Sequence, residues 1–298
     1  MTTVLISGGT GLIGKRLNIK LREKGYHVRV LSRRSGNADT VKWDIESGYI
    51  DPNALQGIDA IIHLAGEGIA DKAWTDHRKA EIINSRVNST ILLFKALQNT
   101  PHQVKQFISA SATGFYSDRA DELMYEDNSP ANDFLGKTCV AWEESIDKIS
   151  NLGIRTVKLR TGIVLSKNGG ALKKMITPFK LGFGSALGNG KQWMSWIHED
   201  DLCDMYIFAL ENHGIQGAYN AVSPEAVTNT EFSRTLAKVL NMPFWAPNVP
   251  AFILKLIFGE MSAVVLGSTK ASADKILATG FKFKYPNLKD CLTALLKK

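Results

Sequence analysis

The sequence predicts an α/β protein: a doubly wound parallel sheet followed by a smaller C-terminal α+β lobe. Three observations predict it. Short apolar runs alternate with helix-period stretches through residues 1–225. The first apolar run ends in a glycine cluster. After Thr228 the texture turns mostly helical, broken by Pro243, Pro247 and Pro250.

The elements follow in order. Thr3-Val4-Leu5-Ile6 is a short apolar strand; Ile13, Leu17 and Leu21 recur every four residues, the period of one helix face, and Gly25 sits where that helix would stop. Val28 to Leu31 reads as the next strand, with others at 58–64, 107–111, 156–159 and 218–221. Helical stretches lie near 80–98, 136–150 and 201–211. Beyond residue 226, Asn229 to Leu240 reads as a helix and "GFKFKYP", 280–286, as strand-like. The expected division is 1–225 for the sheet domain and 226–298 for the lobe, with 166–199 as a lid or substrate loop.

Composition narrows the class. The chain has 298 residues, 44% hydrophobic and 22% charged, which is globular usage and argues against disorder. Net charge is +7, but Lys and Arg are dispersed, so the basic balance reads as a solvated surface and no nucleic-acid partner is expected. Cys139, Cys203 and Cys291 are scattered and suit a reducing compartment, so the cytoplasm is expected. No metal-ligand spacing occurs. The apolar stretch 249–266 is interrupted by Pro250, Lys255 and Glu260, so no membrane span is expected.

In "VLISGGTGLIGKR", Gly8, Gly11 and Gly14 lie between a strand and a helix. A dinucleotide pyrophosphate needs a sharp turn, close backbone approach and a helix N-terminus aimed at negative charge. Gly9 to Lys15 also spells GxxxxGK, but Arg16 stands where a P-loop has its hydroxyl. The later "LGKT" lacks its glycine, since Ala131 is there. Eighteen residues past Gly14 come Ser32 and Arg33. An acid there would favour a free ribose 2′-hydroxyl, whereas a hydroxyl and a guanidinium suit a 2′-phosphate, so NADP(H) is the expected cofactor. In "DAIIHLAGEGI", Leu64-Ala65-Gly66 end a strand with small residues, and His63 reads as a satisfied core histidine.

With "SGGTGLIG", "HLAGEGI", "SRVNST", "SASATGFY", "DFLGKTCVAWE", "GNGKQWMSWIHEDDL" and "FGEMS" together, almost the whole chain resembles the extended, atypical short-chain dehydrogenase/reductases. It is most similar to their epimerase-family branch of nucleoside-diphosphate-sugar epimerases with a C-terminal domain of unknown function. The resemblance implies a Rossmann-like core with dinucleotide contacts at Gly8, Gly11, Leu12, Ile13, Ser32, Arg33, Leu64 and Ala65, and further contacts at Glu67 and Arg86. For Arg86 a surface salt bridge stands as an equal alternative. It also implies a small-molecule substrate, such as a nucleotide-linked sugar, and a homodimer paired through helices.

The wider superfamily uses a Tyr and a Lys four residues apart, stacked on one helix face. The ammonium lowers the phenol's pKa, so that a proton and a hydride move together. Setting Glu143 on the family's helix glutamate puts Leu135 and Cys139 at those positions, and no YxxxK occurs between 105 and 160. Ser111 matches the hydroxyl that orients the substrate oxygen. Tyr116 is the candidate acid, with simple aromatic packing as its alternative; Cys139 reads as a structural thiol. Gly182 to Gly190 with Trp193 and Trp196 read as a second candidate lid or substrate wall, with a structural role for the tryptophans as an equal alternative; His198 is a minor candidate proton donor, and Asp200 and Asp201 read as helix-start acids. Two functions remain: epimerisation or carbonyl reduction with NADP(H), or a non-catalytic NADP(H) sensor or scaffold.

Overall fold

Strand alternation sorts the core into two layers. Val4 and Ile6 face one side of the first strand and pack with Leu17, Leu21, Leu202 and Met205. Leu5 faces the other side and packs with Leu93, Phe107 and Ile146. A sheet apolar on both faces has to be covered by helices on both, as the computed structural model, which describes residues 1–34, 36 and 38–297, shows.

The chain runs β1 (Thr3–Ser7), α1 (Leu12–Glu23), β2 (His27–Ser32), β3 (Thr40–Asp44), β4 (Tyr49–Ile50), β5 (Ala60–His63), α2 (Asp76–Asn99) and β6 (Gln106–Ala112). After a 3₁₀ turn at Thr113–Phe115 come β7 (Leu123–Met124), α3 (Phe134–Ser150), β8 (Arg155–Thr161), β9 (Ile163–Leu165), α4 (Gly170–Lys180), β10 (Trp193–Met194), β11 (Trp196–His198), α5 (Glu199–Glu211) and β12 (Gly217–Ala221). The rest is β13 (Val227–Thr228), α6 (Asn229–Leu240), α7 (Ala251–Phe258), a 3₁₀ turn at Gly259–Ser262, α8 (Ala263–Leu266), β14 (Lys270–Ala271), α9 (Asp274–Ala278) and α10 (Leu288–Leu296).

The main sheet has the order β12-β8-β6-β5-β1-β2-β3-β4, parallel except for β4 at its edge. Strand order reverses between β1 and β5, and the carboxyl ends on either side of that switch form the crevice where such sheets take ligands. The doubly wound α/β expectation therefore holds. β3 and β4 had no counterpart in the sequence reading. The stretch 166–199, expected as a lid, holds α4, β10 and β11.

Beyond residue 226, Phe232, Leu236, Leu288 and Leu292 share a third core with Leu165, Leu172, Phe179 and Trp196. The two-residue strands of this C-terminal lobe pair outside it, β13 with β10 and β14 with β7. "GFKFKYP" is a correction: Phe281 is buried and its neighbours alternate, but the segment joins no strand. A carboxylate takes the place of a strand partner. Buried Asp201 accepts the N–H of Lys284 at 2.8 Å and of Tyr285 at 2.9 Å. Asp200 instead pairs with Arg16 at 2.7 Å, so the two neighbouring acids tie α5 to different elements.

Candidate dinucleotide crevice and the adjoining buried network

The glycine loop is shaped by backbone contact. Gly8 has φ +70°, and a Cβ there would lie 2.8 Å from the Leu64 carbonyl carbon. A Cβ on Gly14 would meet the Gly8 oxygen at 2.3 Å and the Gly9 Cα at 2.7 Å. The first residues of α1, Leu12, Ile13 and Gly14, have no intrahelical acceptor for their N–H groups. Gly11 caps the helix without a side-chain bond, and its first turn holds no acid. These donors and the positive helix end are open to an anion.

On one side of this loop β2 ends at Ser32, whose Oγ accepts the Arg34 N–H at 3.1 Å. Arg33 is exposed and makes no ion pair among the described residues. On the other side Leu64 and Ala65 cross beside Gly8, held by one hydroxyl: Ser7 Oγ accepts the Leu64 N–H at 3.2 Å and the Ala65 N–H at 3.3 Å. Ser7 then donates to His63 Nδ1 at 2.6 Å.

The other ring nitrogen fixes the tautomer. Ser89 and Thr90 hydroxyls lie 3.2 Å from His63 Nε2, and both already donate to the Arg86 carbonyl at 2.9 and 2.8 Å. They can only accept from the ring, so Nε2 carries the proton and the imidazole is neutral. Burial pushes the His63 pKa down to about 3. The core histidine expected from sequence thus sets the crevice wall on one side and α2 on the other.

Glu67 and Arg86 meet as well. Arg86 donates to the carbonyls of Glu67 at 3.0 Å and Ile82 at 2.9 Å and stacks over Trp142 at 5.1 Å. Among the described residues it has no carboxylate partner, so the surface-salt-bridge alternative does not describe it, and burial lowers its pKa. The Glu67 carboxylate pairs instead with Arg78 at 3.2 Å.

Ser111 and Tyr116 lie in a buried polar network behind the crevice. Ser111 donates to Glu143 Oε1 at 2.7 Å; Arg160 grips both Glu143 oxygens at 2.8 and 2.9 Å. Arg160 also donates to the Tyr116 hydroxyl at 2.9 Å, which donates to Asn220 Oδ1 at 2.8 Å. Tyr116 is fully buried, and burial raises its pKa. As placed, both hydroxyls are committed to protein partners. Period two along β6 explains it: Ser109 and Ser111 turn inward together, leaving Ala110 and Ala112 on the other face.

The residue that sequence reasoning missed is Thr113, on the turn just past β6; its hydroxyl pairs with none of the described residues. Leu135 and Cys139 flank this turn. A Cβ on Gly114 would lie 3.5 Å from Leu135 and 3.7 Å from the Cys139 sulfur. The thiol donates weakly to the Ala112 carbonyl at 3.7 Å, and burial pushes its pKa up to about 12. An alkyl group and a buried thiol therefore stand where the resemblance expects a proton-relaying pair.

Sequence profiles match along most of the chain: the NAD dependent epimerase/dehydratase family over residues 4–221, and the domain of unknown function DUF1731 over 249–295. The chain belongs to the NAD dependent epimerase/dehydratase family. An epimerase family protein of Bacillus subtilis, YfhF, is 36% identical over 98% of this chain and 97% of its own. The human epimerase family protein SDR39U1 (isoform 2), solved with NADPH, superposes with a TM-score of 0.90 at 31% identity, each chain covered completely. A UDP-glucuronic acid 4-epimerase of Bacillus cereus, solved with UDP-glucuronic acid and NAD, matches at TM-score 0.78 and 20% identity over 99% of this chain and 98% of its own, a likeness of fold alone. Within the family fold, His198 is buried. It caps α5 by accepting the Asp200 N–H at 2.9 Å and stacks on Tyr285, and burial lowers its pKa to about 4. Trp196 is fully buried, and Trp193 donates to Asp121 at 2.8 Å. Among the described residues no helix is long and apolar enough to cross a membrane, and no cluster of metal ligands forms.

Gly14→Ala is expected to weaken dinucleotide binding at least about tenfold, because the methyl must displace rigid backbone at the loop, a change worth roughly 1.4 kcal/mol or more. Fluorescence titration with NADPH checks this; unchanged affinity would remove the loop from the site.

Proposed function

We propose that the chain binds NADP(H) in the crevice between β1 and β5 and exchanges hydride with a small carbonyl or carbinol substrate, as an epimerase or carbonyl reductase. The observation that carries the cofactor reading is the glycine cradle closed by Leu64 and Ala65, with the exposed guanidinium of Arg33 at the end of the neighbouring strand. The human relative solved with NADPH supports the same choice. In this reading the N–H groups of α1 hold the pyrophosphate, and Ser32 and Arg33 hold the 2′-phosphate. Arg86 and Glu67 shape the far wall.

When bound, the dinucleotide supplies or accepts the hydride. This chain's part is orientation. Thr113 offers a free hydroxyl to the substrate oxygen, while Ser111 and Tyr116, through Glu143 and Arg160, hold the turn that presents it. The α3 residues beside this turn are Leu135 and the buried Cys139, whose thiol burial keeps protonated, so the proton exchanges with solvent. Three free buried cysteines fit a reducing compartment, and we assign the protein to the cytoplasm.

Titration with NADPH and NADH tests the cofactor. Arg33→Ala is expected to weaken NADPH about tenfold and leave NADH within about twofold, since it removes one charge-assisted phosphate contact. Equal losses for the two cofactors would sink the 2′-phosphate assignment. Turnover is tested by NADPH consumption against carbonyls and nucleotide sugars, with Thr113→Val expected to lower kcat and spare NADPH affinity. A second reading, a non-catalytic NADP(H) sensor, is favoured by the pairing of Leu135 with the inert Cys139. Persistent lack of turnover with intact NADPH binding would decide for it.

A further inference from the structure

Helix α4 connects the crevice to a second cavity. Its start lies on the glycine loop, where a Cβ at Gly170 would sit 3.4 Å from Leu12 Cδ2. Its later residues Met175, Pro178 and Phe179 line a cavity of about 400 Å³, closed by Phe232 of α6, Leu254 of α7 and Val264 of α8. At 1.5 Å per residue, that wall begins roughly 8 Å along the helix from the dinucleotide loop. One helix therefore runs from the dinucleotide loop to the cavity wall.

Its chemistry differs from what a nucleotide-linked sugar requires. Lys174 is the one charged side chain in the lining, and it is already engaged: its Nζ donates to the Ala70 carbonyl at 2.9 Å. Asn229 is engaged too, accepting the Leu187 N–H at 2.7 Å. A diphosphate placed here would lose its hydration and find no guanidinium, a cost of several kcal/mol. An uncharged apolar ligand meets the opposite balance. A 150 Å³ apolar cavity holds benzene, so by volume this one holds on the order of fifteen heavy atoms.

We propose that this cavity binds an uncharged, predominantly apolar small molecule, and that the substrate is of this class instead of a nucleotide-linked sugar. The assignment as substrate rests on the hydride-transfer reading above; the binding site does not. The ligand's polar end would point along α4 toward the glycine loop, its apolar body filling the space between α4, α6 and the arch 251–266.

The test uses the full chain and Nile red, an uncharged apolar dye. Saturable binding is expected, and Val264→Trp, which fills the cavity, is expected to weaken it at least about tenfold, or roughly 1.4 kcal/mol. Met261→Trp replaces that variant should it fail to melt cooperatively. Leu256→Ser, on the outer face of α7 where Leu256 is 84% exposed, is expected to leave dye affinity unchanged. UDP-glucose should not displace the dye. Loss of binding in Leu256→Ser but not in the filled variants would overturn the proposal as surface adsorption, and displacement by UDP-glucose would overturn its ligand class. NADPH affinity should be the same in wild type and Val264→Trp. If NADPH fails to bind wild type while the dye pattern holds, the cofactor reading fails and the apolar site stands.

Discussion

Arg160→Met is expected to destabilise the fold by about 3–5 kcal/mol, because it leaves the Glu143 carboxylate buried without its bidentate partner. Only the Ser111 hydroxyl and Lys158, 3.6 Å away, would remain near that charge. The Tyr116 hydroxyl and the Glu126 carbonyl also lose a donor. Removing the acid as well, in Arg160→Met with Glu143→Leu, should recover part of the loss, since a buried pair replaced whole costs less than a pair broken. Urea unfolding of the three proteins, with m-values compared, measures both effects. A single variant as stable as wild type would show that the pair is not buried in solution. Burial pushes the Glu143 carboxyl up, but Arg160 more than offsets this and holds it below its usual 4.5. The ion pair's contribution is therefore complete above that value and is lost as pH falls through the lowered one.

Acidification should have a second, separable effect through His63. The unfolded chain takes up a proton near pH 6.5 that the folded chain refuses until about 3. Stability from this residue is thus full above 6.5 and falls as pH drops toward 3; between pH 7 and 5 the loss is about 2 kcal/mol. His198, lowered to about 4 by burial, acts in the same direction. His63→Asn is expected to be less stable at pH 7 and to lose markedly less between pH 7 and 5. An unchanged pH slope in that variant would overturn the neutral, buried assignment. Protonation at Nδ1 would also take away the acceptor of the Ser7 hydroxyl, so the folded chain's NADPH affinity should hold between pH 7 and 5 and weaken only as pH nears 3.

Much of this was legible in the residues. The first crossover announced itself because glycines, apolar alternation and helix period agree over residues 3–31. The basic end of β2 and the alkyl residue at 135 were equally plain. What stayed hidden has physical reasons. Strands of two or three residues, such as β7, β10 and β14, are shorter than one full alternation and leave no period to read. "TVKWD" of β3 alternates, but amid turn-forming residues. "GFKFKYP" alternates as a strand should, yet the partner of Lys284 is a carboxylate 83 residues earlier, which pattern alone cannot disclose. Ser111 lies at the strand end expected of it, but the period-two rule turns it inward with Ser109, and Thr113 escapes that face only because the strand ends at Ala112 and a 3₁₀ turn begins. The Glu143–Arg160 grip joins a helix to a strand and exists only after the sheet has assembled.

The carboxylate of Asp201 also limits how the molecule can open. By holding two successive amides just before α10, it makes the final helix a fixed wall instead of a door: swinging it outward would strand a desolvated charge and two donors at once. The arch 251–266 is fastened to α2 by the surface pair of Lys79 and Glu260, a tether that water readily replaces. In the apolar-site proposal above, the strap is therefore the side expected to yield when a guest enters.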